Sequence, residues 1–365
     1  DQLEEGGPTA LGPALLAALE VVKVRSGTQG GGRVVLLTDG LANVGLGNLE
    51  EGLPSVAGAF YDSIADQALV NGVAVSVVAV EGDDTYSDGG SRVGLSSLGR
   101  ICDKTGGTVE LVTALGLASS SLGQKELSLA TRATVTVLVG YQGGVSAGED
   151  ASEKARILRI ERQLGNVTAS TDVAFDYDIF KETNCDLGAG SGGGPGETGP
   201  VMIQVQFRFV LPNGDKRLRV RTIYQPTTSD RSNAEKDIDA HIVGLAAIQR
   251  AARMTERGHY DEARVHLISN VRLLQRTMTT AAHQTAYLDY IVASEKLDQF
   301  MRQKQQEDIL VSSRTAAAGE ADGGGSASSE AVLAALDDDA SSIIFKMKRL
   351  SLAGFRGVRQ HSRSK

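Results

Sequence analysis

Two oxygen-bearing side chains stand where an α/β protein can hold a ligand. Asp39, followed by Gly40, comes directly after Arg33–Thr38, a short apolar run that predicts a buried strand. Thr9 precedes a predicted helix, Ala10–Val24, that is rich in alanine and leucine. Because ligands of open α/β sheets bind beyond the carboxyl ends of the strands, we expect both side chains at a binding edge.

The chemistry that suits this pair is the binding of a hard divalent cation. A hydroxyl and a carboxylate are the oxygen ligands that Mg²⁺, Mn²⁺ and Ca²⁺ prefer. Thr9 and Asp39 are therefore candidate metal ligands. Each also has a simpler structural explanation, since threonine often caps a helix and Asp-Gly after a strand often forms a turn. Taken singly, each residue fits that simpler explanation better.

The elements that must position the pair lie in residues 1–125, where strands and helices alternate. The sequence predicts strands at Arg33–Thr38, Val73–Val80 and Thr108–Val112, and helices at Ala10–Val24, Phe60–Asn71 and Val93–Thr105. The first two strands are almost continuously apolar, which is typical of parallel strands buried on both faces. We therefore expect an α/β fold with a Rossmann-like parallel sheet covered by helices.

Two further folded parts and a tail are predicted. Residues 126–229 form strands at Ala133–Tyr141, Ile157–Arg162, Val173–Ile179, Val201–Leu211 and Lys216–Gln225, with a hairpin turn at Pro212–Asp215, which indicates an antiparallel β-sandwich. Residues 230–311 carry apolar residues at helical spacing in Asp237–Arg257, Tyr260–Met278 and Ala281–Ile309. Residues 312–365 begin with an Ala-, Gly- and Ser-rich stretch that predicts a disordered linker and tail.

The tail ends in a basic, amphipathic segment, Ile343–Arg359. Such a segment can dock on an anionic membrane or on an acidic partner. A disordered basic end that binds nothing is the alternative, and the sequence does not separate the two.

Composition excludes several classes of function. The net charge of −8, from 37 Lys and Arg against 45 Asp and Glu, disfavours bulk nucleic-acid binding. Two cysteines exclude a disulfide framework and favour a reducing, cytoplasmic location. No apolar run reaches the length of a membrane span. The chain opens at Asp1 on a helix-entry pattern, which indicates a fragment of a longer protein.

Four motifs occur together in a familiar order. They are Gly6–Leu11, Val34–Gly40, Gly72–Val80 and Thr105–Glu110. Their order and spacing resemble the second half of a von Willebrand A-type (vWA) domain, an α/β module that usually binds a partner protein. The resemblance implies a metal-ion-dependent adhesion site in which Thr9 and Asp39 match two of the ligand positions. The family's Asp-x-Ser-x-Ser loop is absent from the sequence, so we expect Mg²⁺ or Mn²⁺ to bind weakly or not at all.

The resemblance extends beyond this domain. A partial vWA domain, a β-rich part with the hairpin Gln204–Thr222 and a helical part follow each other as in the Sec23/Sec24 coat proteins. A closer resemblance, over roughly residues 3–276, is to the C-terminal half of the circularly permuted Ras proteins. It rests on Glu5–Leu15, Thr38–Gly47, Gly165–Thr168, Gln225–Arg231 and Ala234–Lys236. The sequence contains neither a GxxxxGK[ST] phosphate loop nor an Asn-Lys-x-Asp motif, so this chain is not expected to bind GTP.

These observations favour a non-enzymatic protein-interaction module. A divalent ion with an incomplete protein shell keeps a coordination position that a partner's carboxylate can fill. Two alternatives remain open. One is a coat-like scaffold in membrane trafficking, and the other is the accessory half of a circularly permuted small GTPase.

Overall fold

The computed structural model covers most of the 365-residue chain. It describes residues 8–26, 31–50, 54–81, 93–113, 127–141, 158–177, 200–228, 230–317 and 338–362. All structural statements below refer to these residues.

The first part of the fold is a parallel sheet of three strands in the order β1-β2-β3. Its elements alternate as predicted: α1 (Leu11–Ser26), β1 (Arg33–Thr38), α2 (Pro54–Val70), β2 (Ala74–Glu81), α3 (Leu95–Thr105) and β3 (Val109–Thr113). In the register of the sheet, Thr38 pairs with Ala79, and Val80 pairs with Val112. The predicted α/β part is confirmed, and α2 begins earlier than its apolar pattern indicated.

One aliphatic core holds this sheet to its helices. Leu15 of α1, Ile64 of α2 and Leu98 of α3 are fully buried, as are Val75 and Val77 of the central strand. Burying each such side chain contributes roughly 1.5–3 kcal/mol. The core therefore fixes the direction of β1 and the start of α1, the two elements that carry Asp39 and Thr9.

The second part is an antiparallel sheet of four strands. β4 (Ala130–Tyr141), β5 (Leu158–Val167), β6 (Val201–Val210) and β7 (Lys216–Gln225) lie in the order β5-β4-β6-β7. The β6–β7 hairpin turns at the predicted residues, and Val210 pairs with Lys216. The antiparallel part is confirmed as one sheet, and the described residues contain no second sheet facing it.

The strand predicted at Val173–Ile179 is wrong for the part that is described. Residues 171–177 have no regular secondary structure. Val173, Phe175 and Tyr177 instead pack on the apolar face of the sheet. The alternation of apolar and polar residues does place one set of side chains on the sheet. The segment covers a face of the sheet and does not pair with it as a further strand. Residues 178 and 179 lie outside the described part.

Glycines allow the two sheets to meet. A Cβ atom at Gly106 would lie 2.2 Å from the carbonyl oxygen of Asn166, and one at Gly165 would lie 2.4 Å from the carbonyl carbon of Thr105. The buried Asn166 side chain donates a hydrogen bond to the carbonyl oxygen of Gly72. The end of β5 is thereby fixed against the end of α3. Asn166 begins an Asn-Val-Thr sequon, yet its amide lies inside the protein.

The third part is helical. It comprises α4 (Arg231–Lys236), α5 (Ala240–Glu256), α6 (Tyr260–Arg276) and α7 (Ala281–Ala317). The Asp239 carboxylate caps α5 by accepting hydrogen bonds from the backbone of His241 and Ile242. Ile248, Leu274 and Leu297 fill the shared core of α5, α6 and α7. The predicted helical part is confirmed, with α4 as an unpredicted addition.

The prediction of a disordered tail over residues 312–365 needs correction at both ends, and at its start α7 continues to Ala317. Residues 338–362 form two helices, α8 (Asp338–Lys348) and α9 (Leu352–Ser362). Their apolar side chains are buried: Phe345 joins the core of the α/β part, while Ile344 and Phe355 join the helical core. The physical reason is that α8 is amphipathic and is covered on two sides. Residues 318–337 and 363–365 lie outside the described part.

Helix α8 is held by polar contacts as well. The Asp338 carboxylate accepts hydrogen bonds from the backbone N–H groups of Val93 (2.5 Å) and Leu95 (2.7 Å), at the start of α3. At the other end of α8, Lys348 donates to Asp103 of α3 (2.6 Å) and Glu256 of α5 (2.8 Å). Its side chain is only 8% exposed. α8 therefore connects the α/β part to the helical part.

These contacts change how the basic tail is understood. The apolar residues that would enter a membrane, among them Ile344, Phe345 and Met347, face the protein interior. Within the described part, no helix is long and apolar enough to cross a bilayer. The domain boundaries at residues 125, 229 and 311 stay predictions.

Candidate functional site

Asp39 lies where the sequence placed it, at the carboxyl end of β1. The hydroxyl of the buried Thr38 donates a hydrogen bond to the carbonyl oxygen of Gly40 (3.0 Å) and accepts one from the Gly40 N–H (3.4 Å). This local turn ends the strand at Thr38. The next side chain, Asp39, consequently points to the exposed edge of the sheet.

The structure brings Thr9 to the same edge. The N–H of Thr9 donates a hydrogen bond to the Asn43 side-chain oxygen (2.6 Å), and the Asn43 N–H donates to the Thr9 carbonyl oxygen (3.1 Å). The Thr9 hydroxyl oxygen also lies 4.0 Å from the position that a Cβ atom at Gly40 would occupy. The segment before α1 and the loop after β1 are thus neighbours, as expected from the topology.

Asn43 is a positioning residue that the sequence analysis missed. Its carbonyl oxygen accepts a hydrogen bond from the Asn48 side chain (2.9 Å), and the Leu49 N–H closes the loop on the Ala42 carbonyl (2.7 Å). Asparagine side chains often satisfy backbone groups in turns. Two asparagines shortly after an Asp-Gly pair were the available signal. We call residues 39–49, which these bonds order, the edge loop.

The edge loop rests on α1 and α2. A Cβ atom at Gly12 would lie 2.0 Å from the carbonyl oxygen of Leu46, so only glycine lets the loop approach α1 this closely. The Tyr61 hydroxyl donates a hydrogen bond to the Gly47 carbonyl (2.8 Å), and burial raises the pKa of Tyr61 to about 12. Gly47 has a positive φ of 78°, which other residues adopt only with strain. The loop is therefore ordered by its supports.

The edge loop also presents apolar side chains to solvent. Val44 is 41% exposed and Leu46 is 61% exposed. Apolar side chains on a surface are common when they are scattered. Here they share a short, hydrogen-bonded loop with Asp39, which makes that loop suited to contact with another protein.

Thr9 and Asp39 offer the type of ligand atom that a divalent cation prefers, but two side chains are too few to fill its coordination shell. The Thr9 hydroxyl and the Asp39 carboxylate are both hard oxygen ligands, as Mg²⁺ and Mn²⁺ require. Mg²⁺ takes about six ligands, so two side chains leave most positions to water or to other groups. Among the residues that the structure describes, no cluster of three or more His, Cys, Asp or Glu residues could hold a metal ion.

Cys102 is not a candidate nucleophile. Its side chain lies in the core of the α/β part, and burial raises the pKa of its thiol to about 12. A thiol with that pKa stays protonated and unreactive at neutral pH. Cys185 lies outside the described residues.

Comparison with known proteins by sequence bears on the resemblance to the circularly permuted Ras proteins. No protein-family model matches the chain. The chain is similar to circularly permutated Ras protein 1 of Dictyostelium discoideum, with 24% identity over 299 residues, 81% of this chain. The match covers 32% of that relative, so this chain spans about a third of its length. The resemblance to the circularly permuted Ras proteins is thereby confirmed.

Two solved structures align with the chain at low identity. Human COPII-coat protein Sec24c aligns with a TM-score of 0.41 and 12% identity, covering 80% of this chain and 36% of that one. The ArnB paralog VWA2 from Sulfolobus acidocaldarius aligns with a TM-score of 0.37 and 13% identity, covering 82% and 71% respectively.

Proposed function

We propose that this chain is a non-enzymatic protein-interaction module whose binding surface is the edge loop together with Thr9. One observation carries the proposal: the loop is ordered by hydrogen bonds to Thr9, yet it exposes Val44 and Leu46 in the same loop as the exposed Asp39. Binding surfaces commonly combine exposed apolar anchors with a few fixed polar groups. Because the loop is already ordered, little conformational entropy is lost when a partner binds.

A divalent ion would strengthen this surface. Thr9 would contribute its hydroxyl and Asp39 its carboxylate, either directly or through water. Mg²⁺ or Mn²⁺ bound there would supply a positive charge with open coordination positions. A carboxylate of the partner protein could then fill one of them. With two protein side chains as ligands, we expect the ion to bind weakly until the partner completes its shell.

Calorimetry with MnCl₂ on the 365-residue chain tests the metal step. Asp39→Asn removes a charge at constant size and should weaken binding about tenfold, since a carboxylate is the stronger ligand. Thr9→Val should weaken it less. Glu50→Gln, the same charge change at the end of the loop, serves as the matched control and should leave binding within about twofold. Equal binding by Asp39→Asn and the unaltered chain would show that the ion sits elsewhere.

A minimal carboxylate ligand tests the partner step. We expect N-acetylaspartate to bind the chain in the presence of MnCl₂, and to lose this binding in EDTA or after Asp39→Asn. Binding that is equally strong in EDTA would contradict a metal-bridged contact. Such a result would still allow a direct apolar contact through Val44 and Leu46, which Leu46→Ser would then weaken.

A second candidate function is that of an accessory part of a circularly permuted small GTPase. The similarity to circularly permutated Ras protein 1 over 81% of this chain favours it. Because the chain lacks a phosphate loop, a nucleotide site would have to come from another part of the gene product. Sequencing the transcript upstream of the Asp1 codon tests this candidate. An upstream region with a phosphate loop supports it, and one without any nucleotide motif contradicts it.

A further inference from the structure

Three arginines from two elements lie near a single carboxylate. Arg250 and Arg253 of α5 approach the same Asp176 oxygen at 4.0 Å and 3.9 Å. Arg162 of β5 lies with its guanidinium 4.5 Å above the Phe175 ring and donates a hydrogen bond to the Ala174 carbonyl (3.0 Å). The four-stranded sheet, the segment 171–177 and α5 therefore converge on one arginine cluster, defined by these three arginines.

Asp176 does not neutralise this cluster. Charge-assisted N–H···O bonds are normally about 2.7–2.9 Å long, and both contacts of Asp176 exceed that by more than about 1 Å. One carboxylate is also shared between two guanidiniums, while the third arginine bonds to a backbone carbonyl. The guanidinium forks of Arg250 and Arg253 thus keep donors that Asp176 does not use.

The surrounding charges do not make up the deficit. Lys348 is bonded to both Asp103 and Glu256, so those carboxylates are already engaged. Arg257 caps the C-terminal end of α5, four residues after Arg253, and its charge acts on Arg253. The described charged groups that act on one another here are four cations, Arg162, Arg250, Arg253 and Arg257, and two anions, Asp103 and Asp176.

Burial makes the excess positive charge costly. Burial and, next, the charge of Arg162 lower the pKa of Arg253 to about 10. Burial and the nearby Arg250 lower the pKa of His266 as well, so this imidazole is neutral at pH 7. A partly desolvated guanidinium is stabilised by any anion that can reach it, because Coulomb interactions are stronger where water is excluded.

We propose that the arginine cluster binds a phosphate monoester on a serine or threonine of a partner protein. A phosphate monoester carries close to two negative charges at neutral pH, which matches the excess, and its three oxygens accept the parallel donors of guanidinium forks. The side chains are partly buried, with Arg253, Asp176 and Arg250 exposed by 22%, 31% and 42%. A single phosphorylated side chain can reach partly buried guanidiniums, whereas a flat bilayer meets mainly exposed ones. The site is independent of the edge loop and of its proposed metal.

Calorimetric titration of the 365-residue chain with inorganic phosphate and with O-phosphoserine tests the proposal at constant ionic strength. We expect saturable binding of both probes and a loss of about tenfold or more in Arg253→Gln, since a charged donor is removed. Arg272→Gln, at an exposed position on α6, is the matched control and should bind within about twofold of the unaltered chain. Should Arg253→Gln fail to fold, the more exposed Arg250→Gln replaces it with the same expected loss.

Asp176→Asn gives the sharper test, because it predicts a gain. Asp176 competes with the ligand for Arg250 and Arg253, so its neutralisation should tighten phosphate binding several-fold. Glu20→Gln on α1, with the same change in net charge, should not.

Three results would overturn the proposal. They are no saturable binding of phosphate, equal losses in Arg253→Gln and Arg272→Gln, and weaker binding in Asp176→Asn. Binding of the chain to phosphatidic acid vesicles that Arg253→Gln abolishes, without binding of O-phosphoserine, would also overturn it in favour of a lipid headgroup. None of these results bears on the metal test at Asp39, so the two proposals can fail separately.

Discussion

The edge loop and helix α8 differ in where their stabilising partners lie and in which side chains they expose. The edge loop is a short surface segment ordered by partners within the same α/β part, such as Asn43 with Thr9, 34 residues apart, and Tyr61 with Gly47, 14 residues apart. Helix α8 is an inner element whose partners are remote in the chain, as when Asp338 bonds to Leu95. The loop leaves apolar and acidic side chains exposed, whereas α8 buries nearly all of its apolar ones.

This difference separates binding from stability. Changes in the edge loop should alter what the protein binds and cost little stability. Changes in α8 should destabilise the whole fold, because α8 joins the α/β core to the helical core through Phe345 and Ile344. The following substitutions test that division, beginning with the largest expected effect.

Phe345→Ala should destabilise the protein most. The ring is buried against Gly99, where an added Cβ atom would lie 2.3 Å from it, so its removal leaves a cavity between α3 and α8. We expect a loss of about 3–5 kcal/mol in the free energy of unfolding, measured by urea denaturation. Phe345→Leu keeps most of the volume and should lose clearly less. A loss under about 1 kcal/mol for the alanine variant would mean that α8 does not join the cores.

Lys348→Met should come second. The substitution keeps the buried stem and removes the charge that pairs with both Asp103 and Glu256. The two carboxylates are then left facing each other, and we expect a loss of about 2–3 kcal/mol, less than for a fully buried pair because Asp103 is partly exposed. Lys346→Met on the exposed face of the same helix is the control. Similar unfolding midpoints in urea for the two variants would refute the assigned role of Lys348.

Gly12→Ala should have a smaller but diagnostic effect. Within a helix, alanine is normally favoured over glycine by about 1 kcal/mol. Here the new Cβ atom would press on the Leu46 carbonyl, so we expect a net loss of about 1–2 kcal/mol and a displaced edge loop. Gly357→Ala on α9 has nothing within 4 Å of its Cβ position and should instead stabilise the protein. Thermal unfolding of the two variants measures whether each substitution raises or lowers stability. If Gly12→Ala stabilised the protein as Gly357→Ala does, α1 would not support the loop.

Asp39→Asn should change stability least, by less than about 0.5 kcal/mol, because the side chain is exposed. Its effect should appear in metal binding alone. A loss of several kcal/mol in the free energy of unfolding, measured by thermal unfolding, would show that Asp39 stabilises the fold. That is what the simpler explanation, in which Asp-Gly forms only a turn, predicts.

Much of the fold could be predicted from the sequence because its signals are local. Strand β1 has the predicted bounds, since an apolar run is followed there by Asp-Gly. The end of β5 was missed because Gly165 interrupts the strand pattern, although its contact with Thr105 requires glycine. Helix α8 was assigned to a disordered tail because nothing near it in sequence indicates the cores that cover it.

The candidate site shows the same limit. Thr9 and Asp39 were found because residue type and topology sufficed to place them at one edge. Their spacing could not reveal Asn43 as the link between them, nor that Gly12 lets the loop approach α1. The arginine cluster was missed altogether, because Arg162, Asp176 and Arg253 come together only when three elements pack.

The central claim, that the edge loop with Thr9 holds a divalent ion for a partner, is tested most directly by paramagnetic broadening. Sub-stoichiometric Mn²⁺ is added to the methyl-labelled chain, and Leu, Val and Ile signals are followed by NMR. We expect broadening of Leu41, Val44 and Leu46, and loss of the effect in Asp39→Asn. Broadening that is centred elsewhere, or that persists unchanged in Asp39→Asn, would contradict it.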